Sequence, residues 1–337
     1  MSHWTLSWDR GHLAVRPMGG MMAPAEIELD DGRRVSPFLV APWANEHGGE
    51  PLPPMLAGLR GDWTCIPFGL TEARTDLLPE WMAGLDATLR SPDPAQHGAA
   101  SHGFWQLDRV GPRVLSISFE PPAPVPIRRI ERTINVKDGS PDITVTVRVF
   151  ARAACDLPWG LHPTFQLPQA TGSFEIDFEA PVKVSTYPGR FELGVSKAAP
   201  GQVADTLKAV PLETGGTVSF AALPLPFDTE ELVVVNGHGG KVRLTNRAER
   251  YVTRMEWDET VFPSLVLWIS NRGRTYHPWN GRFLGLGVEP VCAPFELGYA
   301  HAMNPTSPFK ARGIATAQHF DPETPLETTY RFRFAGL

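Results

Sequence analysis

Four short segments place ionisable side chains among glycine, proline and aromatic residues. They read Leu59-Arg60-Gly61-Asp62-Trp63, Ser101-His102-Gly103-Phe104-Trp105, Trp159-Gly160-Leu161-His162-Pro163-Thr164-Phe165 and Leu286-Gly287-Val288-Glu289-Pro290-Val291. Imidazole and carboxylate are the side chains whose pKa burial brings near neutrality. His102, His162 and Glu289 are therefore a set able to give and take protons. Other chemistries lack their residues. The chain has no GxxxxGK[ST] loop, no GxGxxG after a strand, no GxSxG elbow and no HExxH helix. Each candidate also has a plainer reading. A single His in a Gly/Pro-rich loop serves as a turn or packing residue, Glu289 before Pro290 serves as a structural end, and Arg60 serves as a loop cation or ion-pair partner.

The order of these segments resembles the aldose 1-epimerase, or galactose mutarotase-like, family. That family has an early His-Gly motif, a second His followed by aromatics in mid-chain, and a Glu-Pro motif near the C-terminus. His102-Gly103-Phe104 is also similar to a segment of its hexose-6-phosphate mutarotase branch. The resemblance implies a β-supersandwich and an isomerase that interconverts the α and β anomers of an aldose. It implies His162 as the general acid at the ring oxygen and Glu289 as the general base at the anomeric hydroxyl. It further implies His102 as a second histidine holding that oxygen, with Arg60 and Asp228 as substrate-binding residues. Thr229 stands where a His usually follows the Asp, and Asp228 before Thr229-Glu230-Glu231 also reads as a turn residue. Gly103-Phe104 in place of Gly-Gly, Leu161 in place of Asn and Pro163-Thr164-Phe165 in place of Tyr-Phe mark a divergent branch. The reaction needs no metal and no redox cofactor, so none is expected, and the implied partner is a small sugar.

Two further readings use the same residues. One is a carbohydrate-binding or regulatory protein that keeps the groove without catalysis. The other is a metal-dependent cupin-type enzyme with His102, His162 and Glu289 as ligands, although its ligands would be scattered singly, without an HxH pair. Trp63, Trp105, Trp159 and Trp279 stand near the motifs as faces on which a pyranose ring stacks. Trp268 is assigned to the core, and His97, His277, His301 and His319 have turn-like contexts.

Strands must carry these loops. Residues 113–120 and 143–149 alternate in period 2, the pattern that gives a sheet two different faces. Residues 130–136 and 143–149 flank Lys137-Asp138-Gly139-Ser140-Pro141 and predict a hairpin. Similar runs occupy 173–179, 232–235, 241–245, 264–270 and 328–334, with Asn236-Gly237-His238-Gly239-Gly240 as a turn between two of them. A short helix is expected within 71–84, broken by Pro79, inside a loop-rich excursion over 52–100 on one edge.

Composition agrees. The chain has 31 Gly and 34 Pro in 337 residues, spread without a period, which leaves few uninterrupted helical windows. The expectation is one all-β domain over 1–337, a large antiparallel β-sandwich. Lys and Arg number 31 against 37 Asp and Glu, a net charge of -6 that repels a phosphate backbone and disfavours nucleic-acid partners. No apolar run is long enough to span a membrane. No signal sequence is read in the first ten residues, and three isolated cysteines favour a reducing, cytoplasmic setting.

Overall fold

The computed structural model describes residues 3–46 and 50–337. Two antiparallel sheets form the body. The nine-stranded sheet runs, edge to edge, Ala222–Leu223, Phe174–Asp177, Lys241–Asn246, Tyr251–Glu256, Leu326–Gly336, Ile143–Ala151, Ile127–Val136, Val114–Phe119 and Gln106–Gly111. The 8-stranded sheet runs Val203–Ala204, Lys183–Thr186, Thr229–Asn236, Ser264–Asn271, Leu284–Cys292, Trp159–Leu161 and Thr64–Cys65, with Thr164–Gln166 also pairing with Leu284–Cys292. A 4-stranded sheet from the N-terminal segment (Trp4–Trp8, Gly11–Arg16, Met21–Glu28, Arg34–Val35) packs against the same core. Among the described residues no helix is long and apolar enough to cross a membrane.

Period-2 alternation explains how the 8-stranded sheet serves two purposes. Val233, Val235, Leu265, Leu267, Ile269, Leu284, Leu286 and Val288 point inward. There they join Val145, Val147, Val149, Ile130, Ile134 and Phe332 of the nine-stranded sheet in one core. The residues between them, Leu232, Val234, Val266, Trp268 and Val291, point to the opposite face, where a second apolar cluster forms. Loops roof that second face, and the excursion over 52–100 supplies Leu59, Trp63, Phe68, Leu77 and Trp81 to it.

One expectation about the elements needs correction. The helix within 71–84 shrinks to Pro79–Met82, because Pro79 can start a helical turn but cannot sit inside one. The turn expected at 236–240 forms, and it joins two sheets rather than closing a hairpin. It carries the chain from Thr229–Asn236 in one sheet to Lys241–Asn246 in the other, and buried His238 accepts a hydrogen bond from the Gly240 N–H at 3.0 Å. The hairpin over Ile127–Val136 and Ile143–Ala151 does form, with Val136 opposite Ile143.

Candidate functional site

A cavity of about 370 Å³ opens on the loop-covered face of the 8-stranded sheet, within the size range of small-ligand sites. Its floor follows from strand register. Trp268 lies opposite Leu232 on one side and Gly287 on the other, and Glu289 lies opposite Val266. Glu289 and Trp268 therefore rise from the same face as neighbours.

His162 reaches this floor from the end of strand Trp159–Leu161. Its N–H donates to the Trp63 carbonyl at 2.9 Å, the Thr164 N–H donates to Gly61 at 2.8 Å, and the Val288 N–H donates to Pro163 at 2.8 Å. The His162-Pro163 step is thus clamped between the 61–63 segment and strand Leu284–Cys292. The imidazole stacks on the Trp63 indole with centroids 4.0 Å apart and planes 15° apart. Trp63 is held in turn by its neighbour Asp62, which forms a fully buried ion pair with Arg132 and accepts a hydrogen bond from the Tyr330 hydroxyl at 2.6 Å.

The His162 Nε2 lies 3.4 Å from Glu289 Oε1, with both side chains almost wholly buried. Oε1 has no aligned hydrogen-bond partner, so the two groups face each other without being locked together. Burial pushes the His162 pKa well down and the Glu289 pKa well up, and Glu296 adds like-charge repulsion to Glu289. Both directions favour the neutral forms, an imidazole beside a carboxylic acid. Gly287 is part of this arrangement. A Cβ there would fall 2.2 Å from Glu289 Oε1 and 3.0 Å from the Trp268 Cβ, so the carboxyl occupies the space a side chain at 287 would need.

The remaining sequence candidates divide. His102 lines the cavity, but its Nε2 donates to the Gln96 carbonyl at 2.9 Å. The ring that meets His162 is His97, edge to face at 5.4 Å. His97 sits at φ 56°, and its Nδ1 accepts the Gly69 N–H at 3.3 Å, which leaves the proton of the neutral ring on Nε2. Burial drives its pKa down to about 3. His97 sits in a turn, as its context suggested, and its ring also lines the cavity. The available signal was its own His97-Gly98 dipeptide, five residues before His102-Gly103.

Arg60 does not line the cavity. Leu59 does, and the next residue on this bridge-forming segment turns the other way, so that the Arg60 Nε donates to Gly58 at 2.9 Å. Asp228 is exposed and lies outside the cavity, because the strand begins one residue later. The guanidinium at the cavity is that of Arg274, a residue the sequence did not mark. It pairs with Glu192 at 2.8 Å and Glu230 at 3.4 Å, and lies 4.7 Å from the Trp279 ring centroid. Glu230 also accepts from Trp268 Nε1 at 2.7 Å and Ser270 Oγ at 2.9 Å. Glu230 lies inside strand Thr229–Asn236 in phase with Leu232 and Val234 and so points to the site, whereas Asp228 precedes the strand.

Of the indoles, Trp63 and Trp279 line the cavity. Trp268 does too, while packing in the second apolar cluster as its assignment to the core expected. Trp105 and Trp159 are packed into the core instead. Glu296 is a further carboxyl on the wall, raised by burial to about 7. Among the described residues, no three His, Cys, Asp or Glu side chains form a metal-ligand group.

This architecture recurs in solved structures. The chain aligns over 100% of its length with 99% of a candidate aldose 1-epimerase from Escherichia coli K12, at 16% identity and a TM-score of 0.65. It aligns over 100% with 99% of the aldose epimerase homologue from C. elegans, at 11% identity and a TM-score of 0.62. The chain adopts the galactose mutarotase-like fold. The Slr1438 protein from Synechocystis sp. PCC 6803 shares it as well, over 96% of that chain at 13% identity and a TM-score of 0.66. No family profile and no curated protein sequence matches the chain. The mutarotase-like fold thus comes from structure, at identities that speak to fold and leave the chemistry to the site.

Proposed function

We propose that the protein is an aldose 1-epimerase-type isomerase, a mutarotase acting on a small sugar in the cavity above strand Leu284–Cys292. The observation that carries this reading is the 3.4 Å approach of His162 Nε2 to Glu289 Oε1 inside a pocket walled by Trp63, Trp268 and Trp279. In a pyranose the ring oxygen and the anomeric hydroxyl are both bonded to C1. Opening the ring moves one proton onto the ring oxygen and takes another off the hydroxyl. Two proton-carrying atoms this close can serve both oxygens at once.

The cycle uses one mobile proton. With the proton on His162, the imidazolium protonates the ring oxygen as the C1–O5 bond breaks, and the Glu289 carboxylate takes the hydroxyl proton. The pair then holds its proton on Glu289. The open aldehyde turns about the C1–C2 bond, and closure on its other face returns each proton to its origin. Burial favours the neutral distribution, so hydroxyl groups of the bound sugar must supply the hydrogen bonds that stabilise the charged one. His97 offers an Nε2–H donor beside His162, and is assigned the place at the ring oxygen that the resemblance implied for His102. Indole faces suit the apolar face of a pyranose, while Arg274 and its carboxylates suit hydroxyl groups.

The test is anomer exchange by NMR saturation transfer on glucose, galactose and glucose 6-phosphate. A mutarotase accelerates exchange of at least one aldose above the buffer rate. A non-catalytic sugar-binding protein shows ligand shifts with exchange left at the buffer rate, and that result would overturn the proposal.

A further inference from the structure

Two guanidinium groups are buried beside each other, with no acid paired to either among the described residues. Arg16, the last residue of strand Gly11–Arg16, is 9% exposed, and Arg60 is 3% exposed. Both lie against Gly58. The Arg60 Nε donates to the Gly58 carbonyl at 2.9 Å, and a Cβ on Gly58 would fall 1.4 Å from Arg16 Nη1. The Arg16 guanidinium thus fills the space a side chain at Gly58 would take.

The other neighbours of these cations are neutral. Arg16 Nη1 donates to the Pro54 carbonyl at 3.4 Å. Arg60 reaches the Ala44 carbonyl and Asn45 Oδ1 at 3.5 Å, and His3 Nε2 at 3.4 Å. These are long contacts for charged donors, which normally close to about 2.7–2.9 Å. Among the described residues, no carboxylate pairs with either group, whereas buried Arg132 has Asp62 and Arg274 has Glu192 and Glu230. Two like charges held together inside a protein repel strongly and have lost their water, so the arrangement calls for a counter-ion. The Arg60 pKa is correspondingly pulled down to about 10, by burial first and by Arg16 second.

We propose that Arg16 and Arg60 form a binding site for a phosphate-type oxyanion, separate from the sugar cavity. Two positive charges match a dianion, and guanidinium forks match its tetrahedral oxygens. Gly58 admits the forks side by side, and exposed His3 stands at the rim. Leu59, between Gly58 and Arg60, lines the sugar cavity, so the two sites are neighbours across one residue of backbone.

The test uses the full chain with sodium phosphate, sodium sulfate and glucose 6-phosphate, each against sodium chloride at equal ionic strength. Titration calorimetry is expected to show one saturable site per chain, and thermal unfolding a rise of about 2–5 °C at saturation. Both effects should vanish in Arg16→Met and Arg60→Met. Response to the inorganic anions marks a free oxyanion as the ligand. Response to glucose 6-phosphate alone, lost in both variants and not given by glucose, marks a phosphomonoester. Wild type that responds to no phosphate or sulfate group beyond chloride would overturn the proposal, whether or not the variants fold. Responses retained in both variants would also overturn it.

Discussion

Gly287 stands directly beneath the carboxyl of Glu289: a Cβ at 287 would come within 2.2 Å of Glu289 Oε1. Residues two apart on a strand share a face, so the site's acid rests on the backbone of its own strand. Gly287→Ala forces that carboxyl away from His162. We expect a fall in mutarotation kcat of about 100-fold, the scale of a 1 Å misplacement, with near-wild-type circular dichroism. An alanine variant of full activity would separate Glu289 placement from catalysis.

Arg274, which the sequence did not mark, stands at the cavity where Arg60 was expected. Arg274→Met removes the cation between Glu192 and Glu230, leaving the buried Glu230 carboxyl without a counter-charge. The expected cost is about 3–5 kcal/mol in urea unfolding. KM for the sugar should also rise, by more than in Arg60→Met, since only Arg274 lines the cavity. Equal KM effects, or a larger one at Arg60, would return substrate binding to Arg60.

Glu296 sets the expected pH dependence. Its folded pKa of about 7 lies above the ordinary 4.5, because burial penalises its charge. Its contribution to stability is therefore full below pH 4.5 and is lost as the pH rises through 7. Glu296→Gln should gain on wild type by on the order of 2 kcal/mol between pH 4.5 and pH 8 in urea midpoints, after allowance for its partial burial. The rate should follow the same sign. Charging Glu296 opposes a carboxylate on Glu289, so wild-type kcat falls as the pH rises through about 7, and the Gln variant stays flat.

The Asp62–Arg132 pair supports the site from behind. It joins the residue before Trp63 to the inner face of the nine-stranded sheet, with Tyr330 completing it. Asp62→Ala leaves Arg132 charged and buried, at an expected cost of about 3–5 kcal/mol in chemical denaturation. A loss under 1 kcal/mol would show that Arg132 is not held by this carboxylate.

The layers were legible because period 2 is written directly into runs such as Ile143-Thr144-Val145-Thr146-Val147. His162 and Glu289 were legible because they stand in short motifs whose order the chain retains. Arg60 and Asp228 misled, since position in the chain does not say which way a side chain faces. One residue of alternation separates Arg60 from Leu59, and Asp228 falls just before the strand that carries Glu230. The turn at 236–240 carried hairpin chemistry, yet whether its strands share a sheet is decided by packing. His97 and Arg274 come from loops that only the folded chain brings to the sheet, so neither could be found by spacing alone.

The most direct measurement compares wild type, Glu289→Gln and His162→Gln by NMR exchange between the α and β anomers of an accepted aldose, at saturating sugar. Glutamine keeps the shape of the carboxyl and removes its proton chemistry. The expected result is exchange slowed by about 10²–10⁴-fold in each variant, with sugar binding retained. Exchange at the wild-type rate in either variant would contradict the proton-transfer pair on which the proposed function stands.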